Sequence, residues 1–76
     1  MSDFDQTVDA SGLNCPLPIL RAKKALNGME QGQRLQLIAT DKGSEQDFAA
    51  FTKQTGNPLI SSEQDGEKFI FVIEKG

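Results

Sequence analysis

Histidine is missing from this 76-residue chain, and cysteine occurs once, at Cys15. Without histidine a Cys-His nucleophile pair is excluded, and the usual zinc ligand sets cannot be assembled within one chain, so no metal site is expected. A single cysteine leaves no internal disulfide, and a free thiol in such a chain fits a reducing, cytoplasmic setting. No apolar run approaches the roughly 20 residues of a membrane span. The opening Met-Ser-Asp-Phe-Asp-Gln lacks the basic and apolar regions of a signal peptide. Cations are also scarce: eight basic residues against eleven acidic ones leave a net charge of −3, which opposes general binding to a phosphate backbone. Direct DNA binding and membrane association are therefore not expected.

The length bounds the rest. Residues 1–76 make a single domain, near the lower limit of what one core stabilises without disulfides or metal. No internal repeat, linker or low-complexity segment divides the chain.

Phe4, Gln6, Val8 and Ala10 alternate with Asp5, Thr7 and Asp9 and predict a first strand with one apolar face. From Cys15 to about Met29 the period becomes helical. Placed at about 100° per residue, Ile19, Ala22, Ala25, Leu26 and Met29 share the core arc, while Leu17 and Leu20 fall outside it beside Arg21 and Lys24. Asn27 or Gly28 is the stop. Residues 33–40 alternate again as a second strand, in which the run Leu37-Ile38-Ala39 reads as buried on both faces. Ser44 with Asp47 has the spacing of a capping box opening a second helix, whose Phe48, Phe51, Thr52 and Thr55 share one side and whose end is marked by Gly56 and Pro58. Phe48 and Phe51 are at core spacing and are read as core. Residues 59–63 form a third strand, Asp65-Gly66 is a hairpin signal, and residues 68–74 form a strongly apolar fourth strand interior to the sheet. The order β-α-β-α-β-β implies two helices on a small mixed sheet, parallel across the crossover and antiparallel at the hairpin.

The chemistry gathers at Asp9-Ala10-Ser11-Gly12-Leu13-Asn14-Cys15-Pro16-Leu17-Pro18. With Cys15 as N-cap, Pro16 is N1 and Pro18 is N3, positions whose N–H groups have no intrahelical acceptor, so neither proline costs a helical hydrogen bond. Residues before proline avoid the helical region, which suits Cys15 and strains Leu17. The sulfur then sits at the positive end of the helix dipole, where the nucleophilic thiolate is favoured. Gly12 is free to take a turn angle closed to other residues. Asp9 is read as a loop-fixing acceptor and not as a base, because a nearby anion disfavours a thiolate.

Cys15-Pro16-Leu17-Pro18, preceded by Asp9-Ala10-Ser11-Gly12-Leu13, resembles the Cys-Pro-x-Pro motif of the TusA/SirA-like sulfur-carrier family. The likeness continues through Lys24-Ala25-Leu26, Asp41, Gly43-Ser44 with Asp47, and the closing run from Phe69 to Lys75. With proline at about 5% of residues, two prolines fall at those offsets from a cysteine only about once in 400. The resemblance implies an α/β (α+β) two-layer sandwich, with both helices on one face of a four-stranded mixed sheet, and a Cys15 that carries sulfur as a persulfide without a cofactor. It implies a cysteine desulfurase or rhodanese-like protein as donor and a downstream acceptor protein, with tRNA thiolation, molybdenum-cofactor, selenium and sulfur-oxidation pathways as known destinations. Leu17 stands where the tRNA-thiolation branch usually has Glu, and Asn57 where a His is common, so the pathway stays open.

On this reading the chain is a covalent shuttle, a monomer in transient heterocomplexes, with no small-molecule turnover of its own. Cys15 carries sulfur, Pro16, Pro18, Gly12 and Asp9 position it, and Leu17, Leu20, Arg21 and Lys24 dock partners. Two alternatives stay open: one leucine packs on the second helix while the charges are merely solvated, or the whole chain is a regulatory or redox-sensing module with Cys15 as a helix cap.

Overall fold

In the computed structural model, which describes residues 4–14 and 16–76, the alternation of the first segment turns Val8 and Ala10 of β1 (Gln6–Ala10) toward the core. Phe4 does not share that face. It precedes the strand and lines a hollow on the opposite side of the sheet with Arg34, Gln36, Ile70 and Val72. The cause is a bend at Asp5, whose N–H donates to the Arg34 carbonyl at 2.7 Å while its carboxylate accepts the Arg34 N–H at 2.9 Å, so the two-residue period stops there.

A crossover through α1 (Leu17–Asn27) brings β2 (Arg34–Ala39) parallel to β1, in register from Gln6 opposite Leu35 to Ala10 opposite Ala39. After α2 (Ser44–Thr55), β3 (Leu59–Asp65) and β4 (Lys68–Glu74) form an antiparallel hairpin, and β4 also pairs antiparallel with β2. The sheet order is β1-β2-β4-β3, with the apolar last strand interior as its composition predicts.

The core lies between one face of this sheet and both helices. Leu35, Leu37 and Ala39 stand opposite Ile73, Phe71 and Phe69, and Ala22 and Leu26 of α1 and Phe48 and Phe51 of α2 close over them. Phe48 stacks on Phe71 with ring centres 4.7 Å apart and meets Phe51 edge-on at 6.1 Å. Burying such a ring contributes roughly 1.5–3 kcal/mol. The other face of the sheet carries no helix, so Ile38 is only half-buried and the second strand is not covered on both sides as its apolar run suggested.

Two element ends differ from the sequence reading. Asp65 still pairs with Lys68, so the hairpin turn is Gly66-Glu67, with Gly66 at φ +61° in the first central position that a type II′ turn reserves for glycine. At α2 no capping box forms: Gly43 is the N-cap, and Ser44 is the first helical residue, with its N–H on the Asp41 carbonyl at 3.0 Å. Asp41 Oδ1 accepts the Gly43 N–H at 3.4 Å just ahead of the helix, and no described side chain caps α2. The Ser44 hydroxyl is left at 2% exposure with no hydrogen-bond partner among the described residues.

This inverts the expected effect of removing that hydroxyl. A capping serine loses about 1 kcal/mol on replacement by alanine, whereas a buried orphan hydroxyl in a helix is a cost. Ser44→Ala therefore leaves stability unchanged or raises it by up to about 1 kcal/mol. Urea denaturation checks the sign.

Candidate functional site

Because Ala10 lies opposite Ala39, the chain leaves β1 and β2 at the same level, at the carboxyl end of the parallel pair, where α1 begins. The β1–α1 loop is fastened there by backbone bonds. The Leu13 N–H donates to the Ala10 carbonyl at 3.2 Å and the Leu17 N–H to the Asn14 carbonyl at 2.8 Å. Gly12, at φ +80°, turns its N–H to the Thr40 hydroxyl oxygen just beyond β2 at 2.8 Å. A Cβ at Gly12 would meet open space, so the requirement for glycine is the backbone angle and not crowding. Leu13 packs against the core and anchors the middle of the loop.

Asp9 closes the loop from the strand side. Its Oδ1 accepts the Ser11 N–H at 3.0 Å, and this bonding with Ser11, with a smaller pull from Lys68, holds the carboxyl below the usual carboxylate range. Asp9 thus remains charged and structural at neutral pH.

Cys15 lies outside the described residues, between Asn14 and Pro16, both of which are exposed. The helix behind it starts one residue later than the motif suggested: Pro16 is the N-cap, Leu17 the first helical residue and Pro18 the second, so the N-cap place proposed for Cys15 belongs to Pro16. Leu17 takes the helical conformation all the same, with its N–H on the Asn14 carbonyl. Pro18 is buried as well, so it fills core space in addition to starting the helix. Among the described residues no side chain caps α1, and its first turn holds no acidic residue, so no described side chain compensates its positive dipole end.

Leu17 and Leu20 are 46% and 53% exposed, and neither packs on α2 as a core residue. Spaced with Arg21 and Lys24 at intervals of three and four, they share one helical face. Arg21 and Lys24 bound a groove of about 370 Å³ between α1 and β1. Asn57 belongs elsewhere. It is buried at the opposite pole, where its Oδ1 accepts the Gly76 N–H at 2.8 Å and its Nδ2 donates to the Thr55 hydroxyl at 3.1 Å.

Thr40 is the residue that the sequence reading missed. Its hydroxyl holds Gly12, and with Lys42, Gln64, Gly66, Glu67 and Phe69 it lines a hollow of about 300 Å³ beside the loop. Only the strand register reveals it, since nothing local in the sequence pairs position 12 with position 40.

Both the sequence and the fold have known relatives. The family model described as Sulfurtransferase TusA matches residues 6–75. The chain is 67% identical over 75 residues to the Sulfur carrier protein TusA of Allochromatium vinosum, covering 99% of both chains. It is 46% identical over 72 residues to the putative sulfur carrier protein YrkI of Bacillus subtilis, covering 95% of this chain and 96% of that one. Its fold matches the crystal structure of a SirA-like protein from Desulfitobacterium hafniense with a TM-score of 0.81 at 30% identity, over 95% of this chain and 99% of that one.

The Asp9 contact predicts a pH dependence. A carboxyl whose folded pKa is lowered adds stability above its unfolded value, about 3.9 for aspartate, and loses it as pH falls through that value and on through the lower folded one. Asp9→Asn is accordingly less stable than the native chain at pH 7, with the difference shrinking toward pH 3. Thermal melts at several pH values measure this, and a constant difference contradicts it.

Proposed function

The chain belongs to the TusA sulfurtransferase family, and we propose that it carries sulfur as a persulfide on Cys15, taken from a protein donor and relayed to a protein acceptor. The observation that carries this reading is the position of the one cysteine. In sequence it stands between Asn14 and Pro16, both exposed, with hydrogen-bonded backbone on either side, in a chain two-thirds identical to a named sulfur carrier.

The chemistry needs no cofactor. The Cys15 thiolate attacks the terminal sulfur of a donor persulfide, the new S–S bond forms as the donor's own S–S bond breaks, and the donor leaves as a thiolate. An acceptor thiolate then attacks the terminal sulfur on Cys15, which leaves as a thiolate in turn, so electrons and protons balance over the relay. The positive end of α1 favours the anionic sulfur in both steps. With no second cysteine, the persulfide cannot be discharged by closing an internal disulfide. A cysteine desulfurase or rhodanese-like donor and a thiol-bearing acceptor, as in tRNA thiolation or another cytoplasmic sulfur pathway, fit this scheme. The exposed face of Leu17, Leu20, Arg21 and Lys24 is the proposed contact for both.

The alternative, a regulatory or redox-sensing module, shares the expected Cys15 cap with the carrier reading, so the N-cap at Pro16 bears on both alike and the loading of Cys15 separates them.

After incubation with a cysteine desulfurase and cysteine, intact-mass analysis under non-reducing conditions shows a gain of one or more sulfur atoms that reductant removes and that Cys15→Ser lacks. If Cys15 stays unmodified even with polysulfide, the carrier reading fails. Leu20→Asp slows handover about tenfold with unchanged melting behaviour. Unchanged handover in that variant removes the helix face from the docking site.

A further inference from the structure

We propose that the free edge of β1 is a docking site for an extended, acidic segment of a partner protein, which joins the sheet as a fifth strand beside Arg21 and Lys24. The strand order leaves β1 with a single neighbour. The Lys75 N–H bonds to the Gln33 carbonyl, and in the register that sets Arg34 opposite Glu74 this turns the backbone groups of Leu35, Leu37 and Ala39 toward β4 and those of Arg34, Gln36 and Ile38 toward β1. Thr7 lies level with Gln36 and Asp9 with Ile38, and in a parallel ladder each of those β2 residues bonds to the two neighbours of the residue level with it. Gln6, Val8 and Ala10 therefore face β2, while Thr7 and Asp9 present their N–H and C=O groups to the open side. These two residues are enough to seat a short strand.

The groove beside this edge states what the segment carries. It is bounded by Gln6 and Val8 on the strand and by Arg21, Lys24, Ala25 and Gly28 on α1. Its lining holds two cations and no carboxylate, in a chain whose net charge is −3. Among the described residues neither Arg21 nor Lys24 forms an ion pair. Ala25 and Gly28 are small and leave room for a guest side chain. An added strand sends every second side chain into the groove, so carboxylates at alternate positions meet the two cations. The opposite edge, β3, is a poorer template for the same guest, because its ladder is broken by a register shift between Leu59 and Ser61.

This inference rests on the reading that the chain works through partner proteins, but strand pairing needs no sulfur and is measured separately. The probe is an acetylated and amidated peptide, Thr-Glu-Thr-Glu-Thr-Glu-Thr, added to the full chain and followed by amide NMR, with the lysine-for-glutamate peptide as control. At saturation the Thr7 and Asp9 amides exchange about tenfold more slowly, the β3 amides are unaffected, and affinity falls as salt rises. Arg21→Glu combined with Lys24→Glu weakens binding about tenfold with the rest of the spectrum intact. The proposal is overturned if the glutamate peptide does not bind, if it binds without protecting Thr7 and Asp9, or if the lysine peptide binds as well. Protection of the same amides in the free protein at rising concentration also overturns it, since a second copy then holds the edge.

Discussion

The parallel pairing of β1 with β2 is the constraint on which the candidate site depends. It sets Ala10 level with Ala39 and so brings two loops, distant in sequence, to one end of the sheet. One hydrogen bond, from the Gly12 N–H to the Thr40 hydroxyl, then ties them. Neither residue performs chemistry. Their contact fixes where the loop can run, and α1 takes its starting direction from that loop. The helix is held in turn by Pro18, Ala22 and Leu26, buried against the strands that set the register. Cys15 is thus flanked on both sides by backbone whose position is decided by the sheet.

Most of the architecture was legible because period and punctuation agreed along the chain. The helical arc of Ile19, Ala22, Ala25, Leu26 and Met29 packs as its spacing says, and the apolar fourth strand is interior. The order of elements alone gives the two-layer mixed sheet, since a crossover makes parallel strands and a hairpin antiparallel ones. The errors share one cause, which is that local patterns were read without their neighbours. Ser44 and Asp47 have capping spacing, but the helix begins one residue earlier than that spacing says, with Gly43 as N-cap, so the serine lies inside the first turn. Phe4 has strand parity with Val8, but Asp5 is pulled out of phase by Arg34. The exposed leucines of α1 were legible from the helical period. Thr40 was not, because register is a long-range property.

The molecule has two poles with different tasks. At one, loops and helix starts converge around the cysteine-bearing segment, with a hollow lined by Thr40, Lys42 and the Gly66-Glu67 turn beside it. At the other, Asn57 clamps Gly76 and Thr55, and the Arg34 to Glu74 ion pair at 3.3 Å joins the facing ends of β2 and β4. An asparagine with two partners at that second pole meets a structural need without entering the chemistry of the first. The ion pair is half-exposed and contributes little by itself; the burial of Phe48, Phe71 and Ile73 beneath it dominates.

The place of β4 bears on how the chain is made. It is the last strand in sequence, yet it lies between β2 and β3, and its Phe69, Phe71 and Ile73 supply much of the core. Synthesis runs from the amino end, so β1, α1, β2, α2 and β3 all leave the ribosome before the strand that joins them exists. Until β4 emerges, β3 has no sheet neighbour and Phe48 lacks the ring it stacks on. A domain with this strand order cannot settle piece by piece, and its folding waits for the end of translation of β4.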